Sequence, residues 1–155
     1  MYVFKNILND IINNYVLICS LLGWLIASVA KIIIILIREK RLDFRRIYGS
    51  GGMPSSHSAT VTSLATAVAK TDGIYSTNFA IAFMVAFIVM YDATGVRRAA
   101  GEQARILNQL VNNLSDHNPV YLKKKLKELI GHTPLEVIVG GLLGILIALI
   151  LPYAG

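Results

Sequence analysis

The chain has 155 residues, 55% of them hydrophobic and 15% charged, with a mean hydropathy of +0.59. A soluble domain of this size carries about 45–50% apolar and about 25% charged residues. These figures exclude a disordered tail and an ordinary cytosolic enzyme, and a single cysteine, Cys19, excludes a disulfide scaffold. One domain spanning 1–155 is expected, because so short a hydrophobic bundle leaves no room for a second core. The composition is that of a small multi-span membrane protein.

Met1–Asn14 carries Lys5, Asp10 and four Asn. The apolar run behind it is too long for the h-region of a cleavable signal peptide, so this segment is expected to be an amphipathic, interfacial lead-in. Tyr15–Ile37 is the first span, interrupted only by Lys31; crossing a hydrocarbon core of about 30 Å takes roughly 20 helical residues. Ser58–Ala69 is rich in Ala, Ser and Thr, the residues that close helix–helix contacts in membranes use, and is expected to be a second span buried in the bundle. Phe79–Tyr91 with its flanks is the third. Val96–Asn113 places Ala99, Ile106, Leu107, Leu110 and Val111 at helical spacing in a polar background, the pattern of an amphipathic helix outside the core. Ser115–Pro119 breaks it, and Tyr121–Ile130 resumes as a short basic helix ending at Gly131. Leu135–Pro152 is the last span. The expected fold class is all-α: an integral membrane bundle of four transmembrane helices plus amphipathic cytoplasmic helices, with a cytoplasmic insertion at 99–130.

Twelve of the fifteen basic residues fall in two connections, Arg38–His57 and Thr94–Pro134, whereas the opposite side has only Lys5 and Lys70. The positive-inside rule therefore puts both long connections in the cytoplasm and the termini outside. The net charge of +6 and the pI near 9.6 describe a lipid-facing cytoplasmic surface. Nucleic acid is not an expected partner, since no aromatic platform or recognition motif accompanies the charge.

Every unusual polar cluster falls at that same side. Lys31 lies near the end of the first span, and Gly51-Gly52-Met53-Pro54-Ser55-Ser56-His57 opens the second. Tyr91-Asp92-Ala93-Thr94-Gly95-Val96-Arg97-Arg98 closes the third, and Gly131-His132-Thr133-Pro134-Leu135-Glu136 opens the fourth. Glycines ahead of a helix start allow close backbone approach, Pro54 suits a first turn, and free N–H groups there bind anions. The alternative is that Ser55 or Ser56 merely caps the helix. His132 and Glu136 are four apart, so on one helix face the carboxylate would fix the imidazole tautomer and leave the other nitrogen free as nucleophile or base. Lys31 is costly inside a span unless it snorkels to the headgroups or binds something. Arg97 and Arg98 are stop-transfer charges or anion ligands, and Asp92 is close enough in sequence to pair with one of them. Two histidines, a carboxylate, several cations and a Gly-rich helix start fit phosphoryl transfer with no metal and no cofactor. A metal site built from His57, Asp92, His132 and Glu136 is the weaker reading, because no close ligand pair such as His-Glu-x-x-His is present.

Gly-Met-Pro-Ser-Ser-His-Ser-Ala at 52–59, Tyr-Asp-Ala-Thr-Gly-Val-Arg-Arg at 91–98 and Gly-His-Thr-Pro-Leu-Glu-Val at 131–137 resemble the divergent branch of the type 2 phosphatidic-acid phosphatases. That branch is related to acid phosphatases and vanadium haloperoxidases. The resemblance runs from Lys31 to Gly144 and implies a role for each residue. His132 would be the nucleophile, His57 the general acid and Glu136 the residue that orients His132. Lys31, Arg38, Ser55, Ser56 and Arg97 or Arg98 would bind phosphate. Ser56 stands where the wider superfamily has Gly, Glu136 where it has Asp, and Glu39 where Pro should follow the Arg. Position 126, where that pattern would put its last Arg, is Leu.

The expected function is therefore a membrane phosphatase that hydrolyses a phosphomonoester or diphosphate of a lipid through a phosphohistidine. Phosphatidylglycerophosphate and phosphatidic acid are favoured by a cytoplasmic site, and an isoprenyl diphosphate is the alternative substrate. The competing class is a non-enzymatic membrane protein, a transporter or assembly factor that keeps an anion site. The expected partners are the lipid phosphate, membrane lipids and a second copy of the chain.

Overall fold

The computed structural model describes residues 9–40, 52–115 and 131–153, and among them every regular element is a helix. In chain order these are α1 (Tyr15–Glu39), α2 (Ser56–Asp72), α3 (Thr77–Thr94), α4 (Val96–Ser115) and α5 (Pro134–Ile150). The expected basic helix Tyr121–Ile130 and most of the N-terminal lead-in lie outside the described residues, as do the side chain of Arg38 and the backbone of Gly51.

Four of the five helix starts are written in single residues. Asn14, Ser55, Ser76 and Thr133 are N-caps whose side-chain oxygens accept from Leu17 N, Ser58 N, Phe79 N and Glu136 N. α1 ends where Lys40 turns into the left-handed region and its N–H returns to Leu36 O. Pro54 precedes the cap of α2 and so stands outside the helix, two residues ahead of the first turn in which it was expected.

Small residues set the packing. α2 is the central helix and touches α1, α3 and α5. Its Ala59 and Ser63 face Gly23 of α1, and its Ala59 and Thr62 face Gly144 of α5, where a β-carbon would collide with the Ala59 carbonyl. Thr62 Oγ1 donates across to Gly141 O at 2.9 Å. The interior is mostly alanine, with Ala27, Ala59, Ala67 and Ala148 fully buried, while Leu21, Ile33, Phe83, Phe87, Leu142 and Leu146 stand exposed on the outside. A soluble protein does not surround itself with large apolar side chains in this way. Residues Tyr15–Ile37 and the run beginning at Thr77 are long and apolar enough to cross a membrane, and α5 is apolar but shorter. α2 is more polar and owes its place to burial among the others, as its composition led us to expect.

One end of the bundle is tied by Lys70, whose Nζ donates to Ala148 O at 2.9 Å and Leu151 O at 2.8 Å. Tyr15 Oη donates to the same two carbonyls, so the C-terminus of α5 has its orphan acceptors satisfied and a cation at its negative dipole end. The other end gathers His57 and His132.

Candidate active site

At that end the second half of α1, the N-termini of α2 and α5 and the C-terminus of α3 converge. Their meeting is fixed by backbone. Ser55 N–H donates to Glu136 O at 3.0 Å, joining the start of α2 to the start of α5, and His132 N–H donates to Ala93 O at 3.1 Å, joining the approach to α5 to the end of α3. Gly140 lets α5 lie against the backbone of Ser55, and Gly131 lies so close to the Arg98 backbone that no side chain fits there.

His132 is 1% exposed, and among the described residues neither Nδ1 nor Nε2 has a hydrogen-bond partner. Its ring faces His57 edge-on, with centroids 6.0 Å apart and planes at 78°. His57 is the second residue of α2 and is exposed. Burial, and then the positive potential of Lys31, His57 and Arg97, pushes the His132 pKa down to about 4. The imidazole is therefore neutral at physiological pH, with a lone pair available.

Lys31 is 2% exposed, inside the bundle rather than snorkelling. Gly52, at φ +90°, leaves a surface against which the Lys31 stem lies. The carboxylate whose charge reaches Lys31 is Glu136.

One expectation needs correction. His132 and Glu136 do not share a helix face, because α5 begins at Pro134 and His132 lies ahead of its N-cap. Glu136 completes a capping box instead: its Oε2 accepts from Thr133 N at 3.0 Å while Thr133 Oγ1 accepts from Glu136 N at 3.4 Å. It therefore holds no imidazole nitrogen of His132 in this structure. Ser55 is likewise the α2 cap, fully buried, its Oγ accepting from Ser58 N at 3.3 Å and from Ser58 Oγ at 3.0 Å. Ser56 is 4% exposed, and its carbonyl accepts from Thr60 Oγ1.

The two arginines differ. Arg97 Nε donates to Asp92 Oδ2 at 2.6 Å, and it is also Arg97 whose charge reaches His132. Arg98 is exposed and contributes its backbone to the contact with Gly131. With Asp92 on Arg97 and Glu136 on Thr133, both carboxylates are engaged, and among the described residues no group of three His, Cys, Asp or Glu gathers to hold a metal. The residues that motif reading passed over are Ala93, whose carbonyl anchors His132, and Thr133, the α5 cap. Thr133-Pro134-x-Glu136 is itself a helix-start signal.

The arrangement offers a neutral, unpartnered imidazole beside a second imidazole, with a buried ammonium and a guanidinium close by. No solved structure resembles the chain closely enough to count as a match. It is 46% identical to a protein named "Uncharacterized membrane protein YuiD" from Bacillus subtilis (strain 168), over 93% of this chain and 98% of that one. The family model described as "Divergent PAP2 family" matches residues 12–147, which include all three motifs and every helix end at the site. The chain belongs to the Divergent PAP2 family.

Proposed function

We propose that the protein is a membrane lipid phosphatase in which His132 is the nucleophile and His57 the general acid. The observation that carries this reading is the His132 ring: buried, neutral, without a hydrogen-bond partner, and facing His57 among the charges of Lys31 and Arg97. A nitrogen lone pair of His132 attacks phosphorus, the bond from phosphorus to the lipid oxygen breaks, and the leaving oxygen takes a proton from the His57 imidazolium, a form that partial burial and the charges of Arg97 and Lys31 disfavour and that the bound phosphate's negative charge restores. His57, now neutral, removes a proton from water as that water attacks the phosphohistidine. Inorganic phosphate leaves, and both histidines return to their starting forms. Lys31 and Arg97 stabilise the equatorial oxygens throughout.

A lipid is the substrate class because an apolar cleft of about 270 Å³, lined by Phe87, Met90, Tyr91, Thr94, Pro134 and Val137, lies beside the site between α3 and α5. The charge bias of the connections supports a site at the cytoplasmic face. Phosphatidic acid and phosphatidylglycerophosphate are the favoured substrates on that topology, ahead of an isoprenyl diphosphate.

One observation favours the second reading, a non-enzymatic protein with an anion site: among the described residues no carboxylate holds His132 in place. Purified protein in bilayers, given a panel of lipid phosphates and diphosphates, separates the two. Phosphate release that is lost in His132→Ala and inhibited by vanadate supports the phosphatase. Absence of release from every member of the panel supports the binding protein.

A further inference from the structure

α4 divides into three faces. Gly101 and Asn108 are buried against the protein; Arg98, Glu102, Arg105 and Gln109 share an exposed polar side. The third face is apolar and open, with Val96 63%, Ile106 49%, Leu107 48% and Leu110 53% exposed. At 3.6 residues per turn these four lie in one stripe with Ala99 and Ala100, interrupted only by Gln103. A stripe of large aliphatic side chains left in water is unfavourable.

We propose that α4 lies in the membrane interface, with this stripe in the headgroup and acyl boundary of the bilayer and its arginines toward water. Two features commit it to lipid. α4 leaves α3 through the single residue Gly95, so the exposed belt of Phe83, Phe87, Ile88 and Tyr91 on α3 runs on into Val96. A helix with one apolar face, one basic face and little overall hydrophobicity is also the type that beds about 5–10 Å into that boundary. On the phosphatase reading, this fixes Arg97, in the first turn of α4, at headgroup depth.

The test reads depth and needs no turnover, so it is decided independently of any hydrolysis. Trp24 is the only tryptophan and is replaced by Phe. Leu107→Trp and, as a control on the polar face, Gln109→Trp are placed in that background, and the full chain is reconstituted in phosphatidylcholine brominated near the headgroup end of its acyl chains. Leu107→Trp is expected to lose most of its emission to the brominated lipid and little to aqueous iodide, with Gln109→Trp doing the reverse. Equal iodide quenching at both positions overturns the proposal by putting the stripe in water. Protection of Leu107→Trp from both quenchers overturns it too, because the cover is then protein, a second copy or another segment of the chain. If Leu107→Trp does not fold, Leu110→Trp reads the same stripe.

Discussion

Arg97 and Arg98 are neighbours with unequal surroundings. Arg97 is held by Asp92 at 2.6 Å and its charge reaches His132, whereas Arg98 lends its backbone to Gly131. A guanidinium can hold Asp92 through Nε and keep its other donors for phosphate, which an ammonium cannot do in the same geometry. Arg97→Lys is therefore expected to remove most phosphate release and Arg98→Lys little; equal, mild losses would return both to the basic surface. Glu136→Gln is expected to keep both fold and turnover nearly intact, because Gln completes a capping box as Glu does. A loss as deep as that of His132→Ala would mean that the carboxylate turns to His132 during catalysis. His132 also makes a pH prediction. Its folded pKa of about 4 lies below the usual value of about 6.5, so the unfolded chain binds the proton more readily. Stability should be full above about pH 6.5 and fall by a few kcal/mol as pH drops toward 4. Melting curves of His132→Phe should lack that component.

At the level of elements, the bundle depends on how closely α2 and α5 approach. Gly144 stands where a β-carbon would meet the Ala59 carbonyl and Thr62 Oγ1, both on the rigid side of a helix. Gly144→Ala is expected to destabilise the protein by about 1–3 kcal/mol through overpacking, measured as a fall in Tm in detergent. Leu142→Ala, 62% exposed on the lipid side, should leave Tm nearly unchanged. Equal shifts would show that the α2–α5 seam is not the close contact described. The helices themselves were legible in the sequence because their signals are local. The apolar runs mark the outer helices and the small residues of Ser58–Ala69 mark a buried one, whereas the caps Asn14, Ser76 and Thr133, equally local, were passed over. The His132–Glu136 pair misled for an equally physical reason. Spacing of four implies a shared face only if both residues are helical, and the Thr133-Pro134 start takes His132 out of the helix and Glu136 into the cap. The choice between Arg97 and Arg98 could not be read at all, since adjacent residues carry the same motif information and only the position of Asp92 across the Gly95 turn separates them.

On the scale of the whole molecule, the two ends of the bundle are finished differently. Lys70 closes the far end of α5 by satisfying its terminal carbonyls, and the near end is left with helix N-termini, a buried Lys31 and two facing histidines. Sequence motifs brought those four helix ends together correctly because a bundle of alternating helices permits little else. They could not supply the distance between the rings or the absence of a partner on His132. The most direct measurement is rapid quenching of the purified protein with a phosphorus-labelled lipid phosphate. A label that survives alkali, is lost in acid, and is absent from His132→Ala is the predicted result. Turnover of the wild type with no such label, or a label undiminished in His132→Ala, would contradict a nucleophilic His132.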